Sequence, residues 1–239
     1  MPRDPNQIHI SKMTGKLDSL RAINTNTVTN EFCIAQYNSG KDNVICTICY
    51  SQEMLGSYRK NMQPALQDNS DLLSSSILKD ERLPFLLDAY LRIDGHGELI
   101  NDNHLINIYN LALKNPHCKI AIWTKRIPIV RSVAKKMKTP DNIILVYSNP
   151  IINKVKYEKD IPEFFHKVFN NVWSDHKVEE QNCTGQQCKS CMICYNFETP
   201  SVVIEAIKKN GRTIKTKVKD SSNRRDKLDA IEKQWEAIQ

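Results

Sequence analysis

The feature that most constrains the fold is a regular alternation of apolar and amphipathic segments between residues 89 and 150. Three apolar segments, "AYLRIDGHGEL", "CKIAIWTK" and "NIILVYSNP", predict strands, and "NDNHLINIYNLALKNP" and "IPIVRSVAKKMKTP" between them predict helices. Strand, helix, strand, helix and strand at this spacing predict right-handed βαβ units and a parallel sheet. The predicted fold class is therefore α/β, either a partial (β/α) barrel or an open parallel sheet with helices.

Capping residues and apolar stripes support the two helices. The first opens on Asn and Asp capping candidates and closes at Asn115-Pro116, and the second has Pro128 in its first turn. The apolar stripes at helical spacing are Leu105, Ile108, Tyr109 and Ala112 in the first helix, and Ile129, Val130, Val133, Ala134 and Met137 in the second.

Polar residues follow each predicted strand, at the edge where parallel sheets usually bind ligands. The three strand ends are "DGHGE" at 94–98, "TKR" at 124–126 and "SNP" at 148–150. If the first strand persisted, Asp94, His96 and Glu98 would point the same way as Arg92, so these three are the candidate catalytic residues for acid-base chemistry. The alternative is that Asp94 and His96 form a turn or cap the next helix.

The end of the second predicted strand offers positive charge. Lys125 and Arg126 could hold a carboxylate or a phosphate at the mouth of the sheet. The alternative is ordinary solvated charge.

The beginning and the hydropathy of the chain bear on its compartment. The start "MPRDPNQIHISKMTGKL" lacks the apolar segment of a secretory signal. No apolar run approaches the roughly 20 residues that cross a bilayer. We expect a cytoplasmic protein with no membrane partner, where disulfides are disfavoured and clustered thiols indicate metal binding or redox chemistry.

Four of the eight cysteines, Cys183, Cys188, Cys191 and Cys194, form C-x4-C-x2-C-x2-C. Thiolates this close in sequence can converge on one metal centre with little loop entropy to lose. The two short gaps resemble the spacing of ferredoxin-type iron-sulfur sites, whereas structural zinc more often uses two separate C-x2-C pairs. An iron-sulfur cluster is predicted, with zinc as the alternative metal.

A second group, Cys33, Cys46 and Cys49, forms C-x12-C-x2-C and has no adjacent histidine. Three thiolates around a 4Fe-4S cluster leave one iron without a protein ligand, and an open coordination site can bind a substrate or cofactor. Tyr50 is expected to pack beside this cluster. The alternative is a zinc site completed by a distant histidine, such as His96 or His176. Cys118 stands alone and is predicted to be a small core residue.

The remaining segments predict the domain organisation. We expect an α/β core over 1–180 with a cysteine loop at 33–49, a cysteine-rich segment at 181–200, and a basic extension with a terminal helix at 201–239. "RAINTNTVTNEF" predicts a strand leading into Cys33, and "SQEMLGSYRKNMQPAL" a helix ended or kinked by Pro64. Further helices are predicted near Ser70 to Lys79, in the first half of "DIPEFFHKVFNNVW", and in "RDKLDAIEKQWEAIQ", where the apolar positions are Leu228, Ile231, Trp235 and Ile238.

The sequence Cys46-Thr47-Ile48-Cys49, followed by a helix and by a strand running into "GHGEL", resembles the radical S-adenosylmethionine enzymes. Those enzymes carry a three-cysteine cluster loop after the first barrel strand and a Gly-Gly-Glu-like motif after the second. The resemblance implies that Gly95, Gly97 and Glu98 lie near the methionine amino group of the cofactor, with Thr124, Lys125 and Tyr50 as further cofactor-binding candidates. The family's usual C-x3-C-x2-C is here C-x12-C-x2-C.

A set of motifs spread over residues 12–197 is similar to the phage gene product 88 family. The motifs are "KMTGKLDSLRAINTNTVTNEFC", "CTICY", "LRIDGHGEL", "IAIWTKR" and "CTGQQCKSCMICY". The resemblance implies an iron-sulfur, radical-enzyme-like partial barrel of phage or mobile-element origin, located in the host cytoplasm. It supplies no substrate.

These observations support several hypotheses. The first is a radical S-adenosylmethionine-like enzyme with two 4Fe-4S clusters, which acts on an unknown small-molecule or nucleic-acid substrate and takes electrons from a reductase or ferredoxin. The second is a metal-stapled protein that binds nucleic acid or a host protein through the basic C-terminal segment. The formal charge of +7 suggests an anionic partner, although thiolates held by a metal would offset part of that charge. An iron-sulfur electron carrier or redox sensor is the third.

Overall fold

The computed structural model describes residues 4–208 and contains a mostly parallel sheet of seven strands, so the predicted α/β class is confirmed. The strands lie side by side in chain order; β1 is antiparallel to β2, and every other pair is parallel. Chain order is also the strand order of a barrel, but no pairing joins β1 to β7 in the described residues, and the sheet is open. The strands are β1 (Ile10–Lys12), β2 (Arg21–Ile23), β3 (Tyr90–Ile93), β4 (Lys119–Thr124), β5 (Ile143–Ser148), β6 (Lys167–Trp173) and β7 (Val202–Ile207).

The described residues form six α-helices, three of which cover one face of the sheet. The six are α1 (Glu31–Tyr37), α2 (Tyr50–Gly56), α3 (Gln63–Ser75), α4 (Asp102–Lys114), α5 (Ile127–Ala134) and the short α6 (Cys188–Cys191). Helices α3, α4 and α5 pack against alternate residues of β2 to β6 and bury the larger hydrophobic core. No helix within residues 4–208 is long and apolar enough to cross a membrane.

The central βαβαβ unit is confirmed, because local signals and tertiary burial agree there. The side chain of Asn101 accepts a hydrogen bond from the backbone N of His104 and so caps α4. The predicted stripe of this helix is buried, and Pro128 lies in the first turn of α5. Cys118 is fully buried in the larger core, as expected for a small apolar residue.

The opposite face of the sheet carries a smaller core. Trp123 and Val146 from the sheet meet Tyr195, which is 1% exposed and belongs to the C-terminal cysteine segment. The ring centroids of Trp123 and Tyr195 lie 5.7 Å apart in an edge-on arrangement. The cysteine segment therefore covers the face of the sheet that the helices leave open.

The N-terminal third differs from the sequence prediction. Strand β2 ends at Ile23, and Cys33 lies in helix α1, whose first turn is capped by Asn30, rather than at the end of a strand. The helix predicted from residue 51 is interrupted before Pro64, which then opens α3 over Gln63–Ser75. Proline lacks a backbone N–H, and the first turn of a helix tolerates that loss.

The helix predicted in the first half of "DIPEFFHKVFNNVW" is wrong. A single 3-10 turn at Glu158–Asp160 precedes it, Phe164 has a φ of +72°, and the chain then enters β6. Pro162 and the positive φ are incompatible with a continuous helix. The predicted basic extension from residue 201 begins with β7, which pairs along its whole length with β6. The rest of that extension and the predicted terminal helix lie outside the described residues.

Candidate functional site

Both cysteine groups line one cavity on the face of the sheet opposite α3 to α5. Its volume is about 410 Å³, within the range of small-molecule sites. Its walls are the residues of β3 to β7 that point away from the helices, the loop after β3, the cysteine loop, and the C-terminal cysteine segment. The cysteines in its lining are Cys33, Cys46, Cys49, Cys183, Cys188, Cys191 and Cys194.

The first cysteine group is held by short-range hydrogen bonds. The backbone N of Cys33 donates to the side chain of Asn30 at 3.2 Å, and the backbone N of Cys49 donates to the carbonyl of Cys46 at 3.2 Å. The loop also docks on the segment after β5, because Ile45 N donates to Pro150 O at 2.9 Å. Three separate parts of the chain thus meet at the carboxyl ends of the strands.

Burial and charge set the protonation of the first group. Burial raises the pKa of the Cys33 and Cys46 thiols, and the nearby Lys125 ammonium opposes that shift in both. Burial lowers the pKa of Lys125, but the Cys46 thiolate and the Glu98 carboxylate outweigh it, so the net shift is upward. Lys125 is therefore a stable cation beside these thiols, and its Nζ donates to the Ser148 hydroxyl at 3.0 Å.

The second cysteine group is anchored to the edge of the sheet. The backbone N of Cys183 donates to the carbonyl of Ile204 in β7 at 3.0 Å. Lys16 Nζ donates to Cys183 Sγ at 3.4 Å and forms an ion pair with Glu205. Beyond Cys183, the chain runs through α6 and turns at Met192, which has a left-handed φ of +51°.

Burial also raises the pKa of the thiols in this group. It raises the pKa of Cys183 and Cys188 and brings that of Cys194 to about 12. The charge of Lys16 opposes the shift in Cys183 and, together with that of Arg92, the shift in Cys188, and Arg92 opposes it in Cys194. The first group thus has the Lys125 cation beside it, and the second is paired most directly with Lys16.

The loop after β3 turns sharply into the cavity. Asp94 has a φ of +54°, and its Oδ1 accepts a hydrogen bond from the Thr25 hydroxyl at 2.7 Å. Gly97 has a φ of +115°, and a Cβ there would lie 2.0 Å from Thr25 Oγ1. The turn therefore requires glycine at this position. Burial raises the pKa of Asp94 well above its usual range.

Glu98 ties this loop to the end of β4. Its Oε1 accepts hydrogen bonds from the Thr124 hydroxyl at 2.5 Å and from Leu99 N at 2.9 Å, and its Oε2 accepts from Lys125 N at 3.0 Å. The residue is 3% exposed. A buried carboxylate with three protein donors is held in one orientation at the cavity wall.

His96 and Tyr50 connect the loop to the cysteine motif. Nδ1 of His96 lies 3.0 Å from the Ser51 hydroxyl, and the Tyr50 hydroxyl donates to Gly95 O at 2.7 Å. Burial and two arginine charges lower the pKa of His96 to about 4. The imidazole is therefore neutral at neutral pH. The Tyr50 side chain is largely exposed, but its hydroxyl end lies inside, where burial raises its pKa.

The structure brings most of the predicted site residues together, but not all of them. Asp94, Gly95, His96, Gly97, Glu98, Lys125 and Tyr50 all line the cavity. Thr124 is fully buried behind it and acts on the cavity through Glu98, and His176 is exposed and outside its lining. Asp94 and His96 form the turn after β3, whereas the following helix is capped by Asn101.

Several residues of the wall were not predicted from the sequence. Lys16 comes from the turn at Gly15–Leu17, and Glu205 comes from β7. Trp123, Phe169 and Tyr195 supply the apolar surface of the wall. For Trp123 a signal was present, because it precedes the polar end of a predicted strand. For the others, only the three-dimensional pairing of distant segments places them here.

The cysteine thiols of the cavity can be compared with the ligands that a zinc ion or an iron-sulfur cluster requires. In residues 4–208, no three His, Cys, Asp or Glu side chains are close enough to hold a single metal ion. One tetrahedral zinc ion would need thiolate sulfurs only about 3.8 Å apart, given a Zn–S distance of about 2.3 Å. An iron-sulfur cluster holds its cysteine sulfurs further apart, because several irons lie between them. Thiols are the ligand type that such clusters use.

The fold and site together define a class, an α/β protein with a thiol-rich cavity beside the carboxyl ends of a mostly parallel sheet. The sequence profile of the family described as Gene product 88 matches residues 11–181. The chain belongs to this phage family, as its motifs predicted. The match ends two residues before Cys183, so the second cysteine group lies beyond it. No curated protein and no solved structure matches the chain.

Proposed function

We propose that this protein is an iron-sulfur enzyme of the radical S-adenosylmethionine type. Cys33, Cys46 and Cys49 would hold a cluster with one open iron, and the C-terminal cysteine group would hold an auxiliary cluster. The observation that carries the proposal is that both groups and the loop Asp94 to Glu98 open into one cavity. A cofactor bound at the first group would thereby share a compartment with the substrate and the second group.

The thiol ligands are of the type that iron-sulfur clusters use. Soft thiolates suit such clusters, and the seven sulfurs stand in two groups in the cavity wall. Burial raises the pKa of the free Cys33 and Cys46 thiols, so a metal group bound there would displace their protons.

The loop after β3 supplies a rigid binding edge for the cofactor. Gly95 and Gly97 pack closely against Met13 and Thr25, so a side chain at either position would displace the loop. Glu98 presents an oriented carboxylate for the methionine amino group. Lys125 balances the negative charge of the first cysteine group, and neutral His96 offers a nitrogen for proton transfer.

The chemistry follows from the bound groups. One electron, supplied by a reductase or ferredoxin, would break a carbon–sulfur bond of S-adenosylmethionine to give methionine and a carbon radical that takes a hydrogen atom from the substrate. Reactions of this kind need a site that excludes water and holds the substrate close. The apolar wall formed by Trp123, Phe169 and Tyr195 suits that requirement.

The test is anaerobic purification followed by metal, sulfide and cofactor assays. We expect about eight irons with matching sulfide, the content of two 4Fe-4S clusters, and release of 5′-deoxyadenosine from S-adenosylmethionine after reduction with dithionite. Full clusters with neither binding nor cleavage of S-adenosylmethionine would reject the enzyme and leave an electron carrier or redox sensor. Zinc without sulfide would favour a metal-stapled binding protein.

A further inference from the structure

Arg92 has an unusual position in the cavity wall. It lies on β3 opposite Ala121 of β4 and lines the cavity on the face away from the helices. Its guanidinium stacks over Trp123, with 4.1 Å between Cζ and the ring centroid. Trp123 in turn contacts Tyr195 edge-on, so the three side chains form one continuous patch.

Polar atoms in and beside this patch have no partner. Nε of Arg92, the hydroxyl of Tyr195 and Oδ2 of Asp94 are buried, and none has a hydrogen-bond partner among the described residues. Leaving a buried polar atom unpaired costs about 1 to 3 kcal/mol. Tyr195 is 1% exposed and Asp94 5% exposed, so bulk water does not relieve that cost. The two donors among these atoms, Arg92 Nε and the Tyr195 hydroxyl, indicate a missing hydrogen-bond acceptor at the cavity.

The other two cations of the cavity are already engaged. Lys125 donates to Ser148 and lies beside the first cysteine group, and Lys16 is paired with Glu205 and donates to Cys183. Arg92 forms no ion pair with a carboxylate in residues 4–208.

We propose that Arg92 and the Tyr195 hydroxyl form a subsite for the carboxylate of a small organic substrate. A guanidinium edge binds a carboxylate through two parallel hydrogen bonds, and the phenol adds a third donor. A singly charged anion matches Arg92, the cavity cation that has neither an ion pair nor a side-chain hydrogen bond in residues 4–208, whereas a phosphate dianion would add uncompensated charge near Asp94, Glu98 and Glu205. The role of this carboxylate as the substrate of a reaction rests on the proposed function; its binding does not.

The test is calorimetric titration of the protein, purified without oxygen and with its own metal content, with benzoate and with the neutral isostere benzamide. We expect benzoate to bind and benzamide not to bind. Arg92→Gln should weaken benzoate binding at least about tenfold, and Tyr195→Phe should weaken it by a smaller factor. Arg92→Lys keeps the charge but loses the two parallel hydrogen bonds of the guanidinium, so its affinity for benzoate should fall between those of Arg92→Gln and the parent. Arg131→Gln changes an exposed arginine on α5 and should leave binding unaltered.

Several outcomes would overturn the subsite. These are failure of benzoate to bind, equal binding of benzamide, or unchanged binding in a folded Arg92→Gln or Arg92→Lys protein. If benzoate does not bind and Arg92→Gln instead weakens S-adenosylmethionine, the carboxylate belongs to the cofactor. If Arg92→Gln shifts only the reduction potential of the bound metal, Arg92 serves as a counter-charge to the second cysteine group. Benzoate binding that depends on Arg92 in a protein without iron would reject the proposed function and retain the subsite.

Discussion

Oε1 of Glu98 accepts a hydrogen bond from the Thr124 hydroxyl at 2.5 Å, which joins the loop after β3 to the last residue of β4. The same hydroxyl accepts a hydrogen bond from Arg126 N at 2.9 Å, at the entry to α5. One buried pair therefore fixes the edge between two neighbouring strands and the helix that follows. The Glu98 carboxylate therefore fixes the shape of the cavity wall at this edge through hydrogen bonds from protein donors.

Glu98→Gln should destabilise the fold although it is nearly isosteric. In one orientation the new amide NH2 would face the Thr124 hydroxyl and Leu99 N, and in the other it would face Lys125 N. These groups now donate to Glu98, so the NH2 would replace an acceptor that they need. We expect a loss of about 1 to 3 kcal/mol in the free energy of unfolding, measured by urea denaturation. Glu163→Gln, at an exposed position, is the matched control. Equal stability of the two variants would contradict the hydrogen bonding described for Glu98.

Gly97→Ala should be more harmful than Gly185→Ala. Both glycines have positive φ, +115° and +92°, so both substitutions introduce backbone strain of about 1 to 3 kcal/mol. Only at Gly97 does the new Cβ also meet other atoms, at 2.0 Å from Thr25 Oγ1, whereas nothing lies within 4 Å at Gly185. The difference between the thermal unfolding midpoints of Gly97→Ala and Gly185→Ala therefore measures the destabilisation due to the Cβ collision. A midpoint for Gly97→Ala as high as that of Gly185→Ala would show that the loop relaxes.

Substituting one cysteine of either group should remove the cluster of that group alone. Under the proposed function, Cys49→Ser and Cys191→Ser should each lose up to about half of the iron and sulfide, about four irons of eight. The readout is iron and sulfide content of anaerobically purified protein.

Cys118→Ser is the control for this experiment. It buries a hydroxyl in the apolar core and should lower stability while leaving metal content unchanged. Full iron content in both Cys49→Ser and Cys191→Ser would contradict the assignment of the two groups as ligands.

His104 should make the fold sensitive to acid. It is fully buried, and burial lowers its pKa to about 3 from an ordinary value of 6.5. Between these values the unfolded chain binds a proton that the folded chain does not, so stability falls as the pH drops below about 6.5. From about pH 7 to about pH 4.5 the loss due to this residue should be about 2 to 3 kcal/mol.

The measurement is urea unfolding at both pH values for the parent, His104→Asn and His176→Asn. Asparagine places an acceptor near the position of Nδ1, which now accepts from Ile100 N at 3.3 Å, and does not titrate. His104→Asn should lose less stability on acidification than the parent. The exposed His176→Asn should behave like the parent, and a parallel acid response of all three proteins would contradict the role of His104.

The sequence alone was sufficient where local pattern and burial coincide. Residues 90 to 148 have apolar runs of strand length, helical stripes, an Asn cap and a Pro in a first turn, and each signal is a short-range property of the backbone. The strand-end residues were expected to lie together because parallel strands end at one edge, and Asp94, His96, Glu98, Lys125 and Ser148 among them line one cavity. Cysteine spacing likewise predicted two groups without any knowledge of the fold.

Only the tertiary structure decided how distant segments combine. Strands β6 and β7 were both missed in the sequence. In β6, Asn170 and Asn171 interrupt the apolar pattern. Asn170 is nonetheless satisfied by Lys156 and Asn149, which approach it from outside the strand. The meeting of the two cysteine groups depends on Cys183 pairing beside β7 and on Ile45 docking at Pro150. Such long-range hydrogen bonds and the shared burial of Trp123 and Tyr195 leave no periodic trace in the sequence, because they depend on which surfaces the folded sheet brings together.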